Sequence, residues 1–274
     1  MTRSIDMAPG SPAPLDIDLQ EVTLEFPGPR GGVLTVFTDL SLTAAPGSFN
    51  ILLGPSGCGK STLLNVIDGL MAPTRAERVQ VLGRDVVVGR QPERRIGYVF
   101  QSARLLPWKT LRQNAEFGLE GLGLQPRVRW PELIDKYFGL AGLSDFLDYY
   151  PHQVSGGMQQ RAAIVRAWVN EPRILLMDEP FSHLDEISAG ELRRGLVDLW
   201  TQDDERRTIV FVTHDIGEAA LLGERIVMMT PRPSSICYVR DVDLPWPRHS
   251  HDDAVIDIER ELRQAFAERA SVEV

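Results

Sequence analysis

Residues 51 to 64 read Ile51-Leu52-Leu53-Gly54-Pro55-Ser56-Gly57-Cys58-Gly59-Lys60-Ser61-Thr62-Leu63-Leu64, and no other stretch restricts the fold of this chain so strongly. An apolar triplet suited to a buried strand runs into a glycine-rich loop. Lys-Ser-Thr follows, then an apolar run suited to a helix. Gly54, Gly59, Lys60 and Ser61 hold the fixed positions of the pattern G-x-x-x-x-G-K-[ST]. Glycines let backbone N–H groups turn inward around an anion, and the helix N-terminus adds partial positive charge. In such a loop Lys60 reaches the β- and γ-phosphates, and the Ser61 hydroxyl ligates Mg²⁺. The whole segment, with Pro55, Ser56, Gly57, Cys58 and Thr62, is expected to cradle a nucleotide. A strand, loop and helix of this kind predict an α/β protein built on a phosphate-loop NTPase core.

Composition narrows the partners. The net charge of -9 over 274 residues gives a nucleic acid no electrostatic support, so none is expected. Two cysteines, Cys58 and Cys237, form neither a metal-ligand spacing nor a disulfide framework, which fits a reducing compartment. Residues 1 to 14 carry three prolines and no apolar run, and read as a disordered leader. The longest uncharged stretch, Leu40 to Gly59, contains Pro46, Gly47, Asn50 and Pro55, so it cannot be a lipid-facing helix. The chain is read as soluble.

Along the chain, Asp16 to Phe26 alternates as a half-buried strand does. Val33 to Phe37 and Leu40 to Thr43 read as a second and a third strand, which predicts an antiparallel layer beside the nucleotide core. Phe26 ends its strand at a turn, where its ring can stack on a base or fill the core. Arg78 to Gly83 and Asp85 to Val88 read as strands. Ile96 to Phe100 is a buried strand ending at Gln101, which either reaches a Mg²⁺ site or is an ordinary loop residue. Residues 102 to about 165 form a mostly helical insert, with helical spacing over Thr110 to Leu119 and Pro131 to Phe146. Leu105, Leu106, Pro107 and Trp108 at its entrance are either insert core or a surface for a partner.

Ser155-Gly156-Gly157 opens a helix running through Trp168, and its bare N–H groups make a second anion site. Ile174 to Met177 is an uninterrupted apolar strand ending in Asp178-Glu179. Ligands gather at the carboxyl ends of parallel strands, so Asp178 faces Mg²⁺ and Glu179 the attacking water. Leu184-Asp185 precedes a helix from Ser188 to Trp200. Ile209 to Thr213 is another buried strand, ending at His214-Asp215. His214 is then expected at the same sheet edge as Gln101, Asp178 and Glu179, with Asp215 capping the helix Ile216 to Leu222. Short strands occupy Arg225 to Leu244. Residues 248 to 274 form an amphipathic helical tail that packs on its own domain or on a partner.

In this order the motifs resemble the ATP-binding cassette ATPases, over about Asp16 to Pro247. The resemblance implies that Phe26 stacks on adenine and that Gln101 senses Mg²⁺ and a membrane partner. It makes Glu179 the general base and His214 the γ-phosphate switch. Ser155, Gly156 and Gly157 become the signature closing on the other protomer's ATP, with Asp185 in the dimer-contact loop. It further implies a head-to-tail homodimer with ATP and Mg²⁺ between protomers. Leu106-Pro107-Trp108, Asn114, Pro151-His152-Gln153 and Arg232-Pro233 are similar to importer ATPases for nitrate, sulfonates, taurine and related solutes. Val154, Ser182-His183 and Glu77-Arg78 depart from the usual pattern without removing a catalytic group. What this implies is a cytoplasmic subunit, peripheral on the inner face of the cell membrane. A separate transmembrane permease subunit and a solute-binding protein would complete the complex. The competing expectation is a soluble, non-transport ATPase of the same family.

Overall fold

A computed structural model describes residues 14–28, 31–89, 96–122, 126–182, 184–202 and 205–269. The expected leader, except Pro14, lies outside the described residues, as does His183.

The chain begins in the predicted antiparallel layer. Strands β1 (Ile17–Pro27) and β2 (Val33–Ala44) pair, and the sheet is completed by β4 (Arg78–Val81) and β5 (Arg84–Asp85) in the order β2-β1-β4-β5. The two strands expected over 33–37 and 40–43 are one strand. Asp39 bends it with a positive φ of 47°, yet Leu40 and Leu42 go on pairing with Val22 and Leu19. The carboxylate of Asp39 accepts from the Thr23 hydroxyl at 3.2 Å, and its N–H donates to that same oxygen at 3.1 Å, which holds the bend. The strand expected over 85–88 stops at Asp85, and Val87 and Val88 are exposed.

The second sheet has six strands in the order β10-β9-β3-β8-β7-β6. These are β3 (Phe49–Leu53), β6 (Ile96–Val99), β7 (Ile174–Asp178), β8 (Thr208–Thr213), β9 (Arg225–Met229) and β10 (Ile236–Asp241). All neighbours are parallel except β10, which runs antiparallel to β9. Its central strands are buried on both faces, hence their uninterrupted apolar sequences. Phe49, Ile51, Leu53, Leu175, Met177, Ile209 and Phe211 face one core, while Leu52, Ile174, Leu176, Val210 and Val212 face another. The second core is closed by the small sheet and by α1 (Lys60–Ile67) through Leu63, Leu64 and Ile67.

The helices α2 (Leu111–Leu122), α3 (Trp130–Leu140), α4 (Gly156–Trp168), α5 (Glu186–Thr201), α6 (Ile216–Leu222) and α7 (Asp253–Arg269) belong to the first core. The helix expected over 131–146 ends at Leu140, because Gly142 turns the chain at φ 66° and the Leu143 N–H closes on the Phe138 carbonyl at 2.8 Å. Helix α5 begins at Glu186 and not Ser188: Asp185 is its N-cap and accepts from the Ser188 N–H at 3.0 Å. Asp215 caps α6 as expected, accepting from Glu218 N–H at 3.1 Å. The tail helix α7 packs on its own chain, burying Val255, Ile258 and Leu262 in the core that also holds Ala219 and Ala220 of α6. Among the described residues no helix is long and apolar enough to cross a membrane.

Candidate nucleotide site

Four adjacent parallel strands, β3, β8, β7 and β6, end at one edge of the large sheet, and each delivers one motif. The phosphate loop follows β3, His214 follows β8, Asp178 and Glu179 close β7, and Gln101 lies beyond β6. Register puts these ends level: Leu53 pairs with Thr213, and Asp178 with Val212. Separate sequence motifs therefore converge as the strand pattern predicts.

The loop itself depends on glycine at position 59. Its φ is 113°, and a Cβ there would stand 2.6 Å from Val36 Cγ1. Lys60 is buried at 4% exposure, and its ammonium donates to the carbonyls of Gly54 at 2.8 Å and Pro55 at 3.0 Å. It also stands 3.7 Å from Glu179 Oε1. The Ser61 hydroxyl donates to Asp178 Oδ1 at 2.8 Å. Burial pushes the Asp178 carboxyl above its ordinary range, with the Ser61 hydrogen bond opposing the shift. A hard cation bound there would offset the desolvation, and a hydroxyl beside a carboxylate is an oxygen donor set of the sort Mg²⁺ takes. The residues present fit the ion. Cys58 is different: its side chain is buried, burial raises its thiol pKa, and only its backbone can serve an anion.

Glu179 stands in the left-handed backbone region at φ 43°, and its N–H donates to the Val212 carbonyl at 3.1 Å. That turn brings its carboxylate back over the loop, where Oε2 is 3.0 Å from His214 Nδ1. Gln101 hangs one step away. Its amide donates to the Ser182 hydroxyl at 3.2 Å, and Ser182 in turn donates to the Glu179 carbonyl at 3.0 Å. Beside the loop opens a cleft of about 410 Å³, walled by Phe26, Val36, Gly57, Thr62, Glu179 and Arg232. Phe26 thus lines the cleft, packing only partly against the core.

Ser155, Gly156, Gly157 and Asp185 are not in this cleft. They form a second assembly. Ser155 caps α4 by accepting from Met158 N–H at 3.3 Å, and a Cβ on Gly156 would meet nothing within 4 Å. Gly157 lies against Ser188, the residue that Asp185 holds, with 3.4 Å from its missing Cβ to Ser188 Cβ. Arg232 lines the cleft without having been expected there. It enters from the turn between β9 and β10, 173 positions past Gly59 by the numbering (232 − 59); the Arg232-Pro233 pair carries a likeness to importer ATPases but no expected role at the nucleotide.

Fold and site define a phosphate-loop nucleoside-triphosphatase whose signature helix stands outside its own nucleotide cleft. The model of the ABC transporter family matches residues 37–182, and the chain belongs to that family as an ATPase. It is 35% identical over 255 residues to the aliphatic sulfonates import ATP-binding protein of Bacillus cereus, covering 92% of this chain and 96% of that protein. It is 37% identical over 220 residues to the taurine import ATP-binding protein of Roseobacter denitrificans, 80% of each being covered. An ATP-binding cassette solved as a dimer in a post-hydrolysis state, bound to ADP and Pi, is similar with a TM-score of 0.71 at 30% identity. That match covers 84% of this chain and 100% of the other.

Proposed function

We propose that residues 15–247 are the ATP-hydrolysing unit of an importer for a small solute of the nitrate, sulfonate or taurine type, carried with a helical tail over 248–274. Two copies assemble head to tail on the inner, cytoplasmic face of the cell membrane against a transmembrane permease, which a solute-binding protein serves. The observation that carries this reading is the separation of the two half-sites. The phosphate loop, Asp178, Glu179 and His214 meet at one sheet edge, whereas Ser155 to Gly157 present an uncovered helix N-terminus elsewhere on the same chain. A second copy can complete each cleft with its signature and its Asp185 loop.

In the reaction, ATP and water give ADP and phosphate. Phe26 offers its ring to the base. Lys60 exchanges its bonds to two backbone carbonyls for charge-assisted bonds to phosphate oxygens. Ser61 and Asp178, together with Gln101, would hold Mg²⁺, which when bound would neutralise charge on the phosphate oxygens. Glu179 accepts the proton of the attacking water, and His214, 3.0 Å from its carboxylate, orients it. The signature N–H groups of the other copy stabilise the γ-phosphate.

The permease contact falls on residues 105–108. Trp108 is 69% exposed, which supports docking over a core role, and Leu105 and Leu106 are half-buried. The segment is fixed from below. Arg166 donates to the carbonyls of Arg104 at 2.7 Å and Ala103 at 3.0 Å, and buried Asn114 accepts from the Leu106 N–H. Trp108→Glu should leave the subunit folded and ATP-binding while abolishing co-purification with its permease and solute uptake. Normal uptake by that variant would refute the docking surface.

A further inference from the structure

We propose that Arg232 is a nucleotide-binding residue, gripping the phosphate chain of ATP or ADP from the β9–β10 turn. The inference rests on the cleft being the ATP site and adds a wall that the phosphate loop, carboxylate, glutamine, signature and histidine motifs do not include. The one juxtaposition that carries it is an exposed guanidinium held over the phosphate loop by a buried anchor two residues away.

Ser234 is that anchor. It is fully buried, its hydroxyl donates to the carbonyl of Cys58 inside the phosphate loop, and its N–H donates to the Val36 carbonyl at 2.8 Å. Its own carbonyl accepts from the Thr38 N–H at 3.3 Å. The turn is thus tied to both sides of the cleft, to the loop and to strand β2, which supplies Val36 to the cleft wall. Pro231 and Pro233 flank Arg232 and lower the entropy lost in holding it. The outcome is a guanidinium nitrogen 3.9 Å from where a Cβ of Gly57 would stand.

Arg232 is free for a ligand. Among the described residues none makes a hydrogen bond or ion pair with it. Lys60, the other cation lining the cleft, is already 3.7 Å from Glu179. A nucleoside di- or triphosphate brings several negative charges to this place, and a planar guanidinium matches phosphate oxygens two at a time. The turn touches Cys58, Val36 and Thr38, and neither Glu179 nor His214 bonds to it, so its contribution belongs to holding the nucleotide and not to activating water.

Calorimetric titration of the full-length wild type, Arg232→Met, Arg232→Lys and Lys60→Ala with ADP and with adenosine tests this. Arg232→Met should weaken ADP about 10-fold or more, the size of one lost charge-assisted contact, and should leave adenosine unaffected. Arg232→Lys should recover part of the loss, and in steady state the change should fall on KM for ATP, with kcat moving less than about 3-fold. Thermal midpoints of the nucleotide-free proteins should agree. ADP affinity unchanged in Arg232→Met, with Lys60→Ala impaired, overturns the role of Arg232 alone. A wild type and a Lys60→Ala variant that bind ADP equally overturn the nucleotide site itself. An equal loss for adenosine, or a loss confined to kcat, also contradicts a phosphate contact.

Discussion

Replacing Asn114 with alanine removes the carboxamide on which the segment presenting Trp108 hangs. Asn114 is fully buried in the first turn of α2. Its Oδ1 accepts from Leu106 N–H at 2.7 Å, and its Nδ2 faces the carbonyls of Leu106 at 3.2 Å, Lys109 at 3.1 Å and Thr110 at 2.9 Å. Two amide protons serve three carbonyls, so at most three of these contacts act at full strength together. At about 1 kcal/mol net for each, the substitution should cost about 3 kcal/mol. That is a large part of a typical folding free energy of about 5–15 kcal/mol. Asn114→Asp should be worse: one oxygen keeps the Leu106 N–H, while the other replaces a donor and confronts the three carbonyls. Urea unfolding followed by circular dichroism gives the ranking, with hydrogen exchange at the Leu106 amide reporting local opening. An alanine variant within about 0.5 kcal/mol of wild type, with that amide still protected, would show that Asn114 does not hold the segment. So would an aspartate variant as stable as the wild type.

Glu179→Gln should retain ATP binding and lose about 100-fold or more in turnover, as expected when a general base is removed; near-normal steady-state phosphate release would contradict the assignment. Asp68, at the C-cap of α1 and 5% exposed, has its pKa raised by burial to about 6. Between about pH 4 and 6 Asp68 therefore holds a proton in the folded state that it has lost in the unfolded chain, so its contribution to stability falls as pH rises through this window and is level above it. Asp68→Asn should remove that fall and gain up to about 3 kcal/mol near pH 8 but little near pH 4. Urea midpoints at the two pH values decide it, and an equal effect at both contradicts a buried, proton-holding Asp68.

The parts of the fold legible in the sequence were those fixed by neighbours along the chain. An apolar strand feeding a glycine loop or a carboxylate pair is a local pattern, and the level strand ends follow from parallel pairing. Ile174 to Glu179 and Ile51 to Ser61 could thus be read as sites before any contact was known. Boundaries were less legible. Asp39 bends a strand without ending it because Thr23, 16 positions earlier, satisfies its side chain and its N–H. Helix α3 stops at Leu140, although the apolar spacing would continue it, because Gly142 turns the chain just beyond. The position of Arg232 was not legible at all. It depends on the hydroxyl of Ser234 meeting a carbonyl 176 positions away. The tail was undecided in sequence because an apolar helix face suits any apolar partner, and α6 proved to be that partner.

If each ATP is hydrolysed between two copies, two inactive variants should restore activity when mixed. Lys60→Ala damages one phosphate loop, and Ser155→Arg damages one signature. In a head-to-tail heterodimer both lesions fall in one composite site and leave the other intact. Random pairing makes about half of the dimers mixed, each with one working site of two, so an equimolar mixture should recover about a quarter of wild-type turnover if sites act independently. Recovery near that value, against two inactive parents, is the expected outcome. A mixture as inactive as its parents, or a Ser155→Arg variant that hydrolyses ATP at the wild-type rate alone, would contradict it.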